Sequence, residues 1–219
     1  MSVVVNGRKR LLIFDWDGTL SDSLGRIVEC LQVSALDQGL APPTPEQGRE
    51  VIGLGLREAL HSLYPALDDT ALEGLRSSYS GNYARLDQVP PAFYSGVAET
   101  LEQLKGEGYL LAVATGKSRR GFDRVVTGHG MAAFFHGSRC ADETVSKPHP
   151  RMLHELLAEF GCAPGDALMV GDTEFDMEMA VRAGVSRMGV SYGAHHASRL
   201  HPYGLQACLD QFAQIVGYL

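Results

Sequence analysis

Apolar positions along the chain switch between short continuous runs and stripes that recur every three to four residues. Residues 9–14 end in Leu11-Leu12-Ile13-Phe14 and stop at the polar, glycine-containing stretch Asp15-Trp16-Asp17-Gly18-Thr19. A run of that length, halted in that way, predicts a buried parallel strand feeding a loop. Leu24, Ile27, Val28, Leu31 and Ala35 then repeat at helical spacing, Pro42-Pro43-Thr44-Pro45 interrupts the chain, and Leu72, Leu75, Tyr79, Tyr83 and Leu86 trace another helical stripe. Residues 21–91 therefore read as helices and turns without a strand, closed by Pro90-Pro91.

Beyond the two prolines, strands and helices alternate. Strands are predicted at residues 109–115, 134–139, 167–171 and 187–191. Helical stripes lie at Val97, Leu101 and Leu104, at Phe122, Val125 and Val126, at Met152 to Phe160, and at Leu205, Cys208, Leu209, Phe212 and Val216. Such alternation implies an α/β fold, a Rossmann-like parallel sheet covered by helices on both faces. Residues 1–20 and 92–219 would form that core, and residues 21–91 a small inserted α-helical block. At 219 residues the chain is about one and a half average domains, which suits a core plus a small accessory module.

Composition excludes several functions. Hydrophobic residues make up 45% and charged residues 21%, a globular balance. No stretch approaches the ~18–20 apolar residues of a spanning helix, and the basic residues near the N-terminus follow a short apolar run, the reverse of a signal peptide. The expectation is a cytoplasmic protein with no membrane partner. A net charge of −7, with no basic run longer than Arg8-Lys9-Arg10, lacks the footprint of a nucleic-acid binder. Cys30, Cys140, Cys162 and Cys208 are too scattered for a zinc site or a disulfide framework and read as reduced, mostly buried residues.

In an open parallel sheet the ligand site lies beyond the carboxyl ends of the strands. Here those ends carry Asp15 and Asp17, then Thr115-Gly116-Lys117-Ser118, then Lys147-Pro148, then Gly171-Asp172-Thr173-Glu174-Phe175-Asp176. Asp15, Asp17, Asp172 and Asp176 crowded together would repel one another unless a cation sits among them. All-oxygen ligands suit a hard ion, usually magnesium when a substrate adds phosphate oxygens. Thr115, the backbone N–H at Gly116 and Lys147 would then bind a phosphoryl group.

These residues resemble the motifs of the haloacid dehalogenase superfamily of aspartate-nucleophile phosphohydrolases: DxDGT at residues 15–19, a strand-terminal hydroxyl at Thr115, the lysine at Lys147, and GDxxxD at residues 171–176. By chance DxDGT alone would arise in roughly one chain of this length in a thousand. The resemblance implies Asp15 as nucleophile and metal ligand, and Asp17 as general acid/base whose backbone carbonyl also ligates magnesium. It implies Asp172 as a further metal ligand, with Asp176 positioning Lys147 and the metal's water shell. Phosphonoacetaldehyde hydrolases of the superfamily have alanine where this chain has Asp17, and the dehalogenases also lack that aspartate, so ester hydrolysis is favoured. An insert directly after the first motif resembles the helical cap of the phosphoglycolate phosphatase and β-phosphoglucomutase branch. Within it, Gly53-Leu54-Gly55-Leu56-Arg57-Glu58 resembles a substrate-specificity loop, with Arg57 the candidate contact to the leaving group.

The expectation is thus a magnesium-dependent phosphatase acting on a small phosphorylated metabolite, as a monomer or a dimer. A β-phosphoglucomutase-type phosphomutase, an inorganic pyrophosphatase and a non-catalytic binding protein on the same fold are the alternatives. Lys117 is open between a phosphate contact and a helix start. His195 and His196 read as loop histidines, His149 as a neighbour of the site, Met177, Met179 and Met188 as core, and Asp22 as the N-cap of the first inserted helix.

Overall fold

The computed structural model describes residues 10–86 and 89–219, so Lys9, the predicted start of the first strand, and Arg8 of the basic run lie outside the described residues. Strand β1 (Leu11–Phe14) is wholly buried, because its side chains alternate between two cores. Leu12 and Phe14 enter one apolar cluster and Leu11 and Ile13 the other. That is why the strand is a continuous apolar run rather than an alternating one.

Four helices follow β1: α1 (Leu24–Asp37), α2 (Pro45–Glu50), α3 (Leu56–Leu63) and α4 (Asp69–Leu86). They share their own cluster, built on Leu31, Val51, Leu60, Leu72 and Leu75. Thr44 starts α2 through a capping box with Gln47, just before the proline that suits a first helical position. The remainder runs α5 (Val97–Gly106), β2 (Leu110–Thr115), α6 (Arg119–Gly128), β3 (Gly137–Cys140), α7 (Arg151–Phe160), β4 (Ala167–Gly171), α8 (Glu174–Ala183), β5 (Ser186–Val190), α9 (Ala197–Leu200) and β6 (Cys208–Leu209).

All six strands are parallel, in the order β3-β2-β1-β4-β5-β6. Buried residues of α5 and α6 cover one face, with Phe212 and Ile215 of a C-terminal 3₁₀ turn, and those of α7 and α8 cover the other. Phe14 lies opposite both Val113 and Val170, so the chain leaves β1, β2 and β4 at one level. The strand order reverses at β1, which opens a crevice at that edge.

Three sequence expectations need correction. The stripe predicted as a last helix becomes β6 and the 3₁₀ turn (Phe212–Tyr218). The edge of β5 takes residues 206–209 as partners: Gly189 N–H donates to the Ala207 carbonyl and Ser191 N–H to the Leu209 carbonyl, satisfying backbone groups that a helix would leave bare. Strand β3 begins at Gly137, because Phe134 closes a turn onto the Met131 carbonyl and packs with Phe135 against the core. Asp22 is exposed and does not cap α1; the N-cap is Ser23, which makes no side-chain capping bond. Its hydroxyl donates to Asp17 instead.

Candidate active site

The loop leaving β1 turns Asp15 and Asp17 to the crevice while Trp16, fully buried, packs edge-on against Phe93, Phe122 and Phe135. Alternation about this anchored indole is what brings both aspartates to the same side. Carboxylate oxygens of Asp15, Asp172 and Asp176 lie within 4.8 Å of one another, all three residues being buried. Lys147, buried in the loop after β3, donates to Oδ1 of Asp15 and, at 2.6 Å, to Oδ1 of Asp176. Asp176 is itself locked by the start of α8: the Thr173 backbone N–H (3.1 Å) and hydroxyl (2.7 Å) both donate to its Oδ2. A threonine followed three residues later by an acid is a readable helix-start signal, so this clamp was available in the sequence.

Asp172 accepts from the Thr19 hydroxyl (2.9 Å) and the Ala194 N–H (2.7 Å). Burial, and next the Asp176 charge, nonetheless push its carboxyl up to about 7. Burial likewise holds the Asp15 carboxyl well above the usual carboxylate range; Lys147 opposes this, while Asp176, Asp172 and Asp17 reinforce it. Burial would lower the Lys147 ammonium, but Asp15 and Asp176 outweigh it and hold the lysine charged.

These observations also test whether the residues suit a cation. Among the described residues Asp15 Oδ2 is buried and has no hydrogen-bond partner, whereas both oxygens of Asp176 are engaged. A divalent cation beside Asp15 and Asp172 would satisfy the orphaned oxygen and reverse the pressure toward protonation. The donors are oxygens only, so the site fits a hard ion such as magnesium.

Asp17 has different company. Its Oδ1 accepts from the Ser23 hydroxyl and pairs with Lys117 Nζ at 2.9 Å, the two side chains being 9% and 10% exposed. Lys117 also donates to the Tyr83 hydroxyl of α4 at 3.0 Å. Its ammonium therefore bridges the first motif to the inserted helices, while Ser118 caps α6 by accepting from Gly121 N–H. Sequence reasoning did not anticipate Tyr83 or Ser23 here; Tyr83 read as an ordinary helix-stripe position. Thr115 is buried at the end of β2 and its Oγ1 accepts from Lys117 N–H (3.1 Å), which leaves the hydroxyl proton for another partner.

The glycine-rich loop between α2 and α3 presses on the core loops. Gly55 N–H donates to Ser146 Oγ at 2.7 Å, next to Lys147. A Cβ on Gly53, where φ is +101°, would lie 2.9 Å from Thr173 Oγ1, and one on Gly116 only 2.4 Å from the Leu54 carbonyl oxygen. Because that obstacle is backbone, Gly116→Ala is expected to push the 53–55 loop outward and lower kcat/KM by about 10²-fold, the usual effect of ~1 Å misplacement. Faster amide exchange across residues 53–56 in the variant checks the cause.

Arg57, the candidate leaving-group contact, is not brought to this crevice. It sits exposed, paired with Asp69 at 3.1 Å, because it falls on the side of α3 opposite buried Ala59. Neither His195 nor His196 belongs to the acidic cluster of possible metal ligands among the described residues. His195 is, as expected, a loop residue, but it is buried, accepts from Glu174 N–H and packs edge-on to Phe175 in the wall of the fourth motif. His196 caps α9. His149 accepts from Arg151 N–H. The four cysteines are reduced thiols, three of them buried, and Met177, Met179 and Met188 are core residues. No helix among the described residues is long and apolar enough to cross a membrane.

Residues 12–190 match the family model described as haloacid dehalogenase-like hydrolase. The chain is 33% identical over 214 residues to a probable phosphatase IndB of Dickeya dadantii, covering 95% of this chain and 93% of that one. It is 27% identical to a phosphoglycolate phosphatase of Colwellia psychrerythraea, covering 95% and 96%. The crystal structure of a predicted phosphoglycolate phosphatase from Haemophilus somnus superposes with a TM-score of 0.87 at 26% identity, covering 95% and 97%.

Proposed function

Because the chain belongs to the haloacid dehalogenase-like hydrolases, we propose that it is a magnesium-dependent phosphatase that hydrolyses a small phosphorylated metabolite through an aspartyl-phosphate on Asp15. The observation that carries this reading is Asp15 Oδ2, buried and without a hydrogen-bond partner among the described residues, beside Lys147 and Asp172 at the floor of a crevice. Phosphatase and phosphoglycolate phosphatase are the names of the relatives, which supports the reaction class.

Asp15, Asp172 and the Asp17 backbone carbonyl would hold the magnesium, which when bound supplies Lewis-acid polarisation of a phosphoryl oxygen. An Asp15 carboxylate oxygen attacks phosphorus as the bond to the ester oxygen breaks, and Asp17 gives its proton to the departing alkoxide. Water then attacks the phosphorus of the acyl phosphate, Asp17 takes its proton, and the Asp15 carboxylate and phosphate separate. Lys147 and the Thr115 hydroxyl steady the non-bridging oxygens, and Asp176 holds Lys147 in place. Residues 21–91 act as a cap over the core formed by residues 1–20 and 92–219, closing to exclude water and reopening for release.

The test is phosphate release from phosphoglycolate, sugar phosphates, nucleotides and pyrophosphate, with and without magnesium. Magnesium-dependent release from at least one monoester is the expected result. Exchange of phosphate between sugar positions without net release would make the protein a mutase instead.

Metal binding has a further readout. Burial pushes the Asp172 carboxyl up to about 7 in the folded chain, against ~3.9 for an unfolded one, so between those values the folded state holds the extra proton. Its contribution to metal-free stability is therefore lost as pH rises from about 4 to about 7. Magnesium needs the ionised form, so one fixed concentration, a hundredfold above the Kd at pH 8, is expected to raise Tm by roughly 5–10 °C at pH 8 and much less at pH 5. Equal shifts at both pH values would detach the cation from these carboxylates.

A further inference from the structure

Lys117 belongs to the core, yet its side chain ends on the inserted helices. Its backbone is fixed just beyond β2, where Thr115 Oγ1 accepts from its N–H at 3.1 Å. From there the stem carries the ammonium to two acceptors, Asp17 Oδ1 at 2.9 Å and the Tyr83 hydroxyl of α4 at 3.0 Å. Tyr83 is buried, and its ring centre lies 4.8 Å from the same Nζ.

Both donors to Asp17, the Lys117 ammonium and the Ser23 hydroxyl, take the same oxygen, Oδ1. Oδ2 is then the oxygen left to carry the proton that passes to the departing alkoxide. A protonated carboxyl still accepts at its other oxygen, so both contacts are compatible with the acid form. Asp17 and Lys117 line the cavity between the inserted helices and the motif loops, on the side from which the alcohol must leave. Proton transfer needs its two heavy atoms within ~2.6–3.2 Å, so a carboxyl turned aside delivers nothing.

The Tyr83 contact exists only while the inserted helices are seated on the core. A lysine stem has several rotatable bonds, and ordering it costs conformational entropy that two acceptors offset better than one. We propose that Lys117 and Tyr83 are positioning residues that act through Asp17: with the cap seated they aim it at the leaving oxygen, and with the cap lifted that aim is lost. Proton delivery is thereby tied to cap closure. The proposal rests on the phosphatase reading above and adds these two residues to it.

The experiment measures kcat/KM of the full chain with magnesium on p-nitrophenyl phosphate, phenyl phosphate and glycerol 3-phosphate. Their alcohols are uncharged and increasingly basic, so the leaving oxygen needs a proton least in the first and most in the last. The ratio of glycerol 3-phosphate to p-nitrophenyl phosphate is expected to fall at least tenfold in Lys117→Met and at least threefold in Tyr83→Phe, with phenyl phosphate between. Tyr83→Phe keeps the ring and isolates the hydroxyl, and it decides the test by itself if Lys117→Met does not fold. In the double variant the ratio is expected to match Lys117→Met alone, because Tyr83 acts through Lys117. Equal losses on all three esters in folded variants, verified by melting curves, reduce the pair to packing and overturn the proposal, as do additive losses in the double variant. Wild-type release from p-nitrophenyl phosphate alone also overturns it while leaving a phosphatase; no release from any ester overturns the phosphatase reading itself.

Discussion

Asp15→Asn is expected to lower kcat/KM on every phosphate ester by at least ~10⁴-fold, a loss of the size seen when a covalent nucleophile is removed. The carboxamide has nearly the shape of the carboxylate and keeps an oxygen that can accept from Lys147, so the fold is retained. What it lacks is the anionic oxygen that attacks phosphorus, and one of the charges that would hold a cation. The substitution also removes a carboxyl that burial and three neighbouring aspartates drive toward protonation, so Tm is expected to be unchanged or higher at pH 8 without metal. Acid-quenched intact mass should show a phosphoryl adduct in the wild-type chain during turnover and none in the variant. A folded Asp15→Asn chain that keeps a few per cent of activity would sink the nucleophile assignment.

Lys147→Met is expected to damage both stability and chemistry. The lysine side chain is 0% exposed, and its two partners, Asp15 and Asp176, are 2% and 0% exposed. Methionine fills similar volume but leaves two carboxylates facing each other without a cation, and removing one partner of such a buried set costs about 3–5 kcal/mol. The cost should be largest at pH 8 and smaller at pH 5, where protonation of Asp15, whose carboxyl burial already holds well above the usual range, relieves it. Denaturant unfolding at both pH values reads this difference directly. Activity is expected to drop by about 10²–10³-fold, the range for losing one preorganised charge on a developing anion. A variant as stable as wild type at pH 8 would show that the ammonium does not hold this cluster together.

The site was legible in unequal parts. Asp15, Lys147, Asp172 and Asp176 stand at strand ends, where a parallel sheet presents its loops, and the structure brings those four side chains together. Asp17 lies in the same crevice, but its partners, Ser23, Lys117 and through it Tyr83, were not readable. Tyr83 and Lys117 are separated by 34 positions, and no local pattern says which of several stripe residues on a helix will meet a long, flexible lysine. Arg57 shows the converse: its place after a glycine-rich turn suggested a contact, but the rotation of α3 carries it to Asp69 and the solvent. Asp22 was mistaken for a helix cap because a short polar residue before a helical stripe fits that role equally well one position earlier or later.

By itself the sequence determined the α/β class, the run of strands feeding motif loops, and the order of acids, hydroxyl and lysine along the chain. These depend on local periodicity and on residues a few positions apart, where backbone geometry leaves little choice. Only the tertiary structure decided that residues 206–209 extend the sheet, that Lys117 ties Asp17 to the inserted helices, and that leucine, valine and tyrosine of the inserted helices share the cavity above Asp15 with arginines far from them in the chain. Each of those outcomes follows from which helix face meets which loop, a matter of packing between segments far apart in the chain that no local spacing encodes.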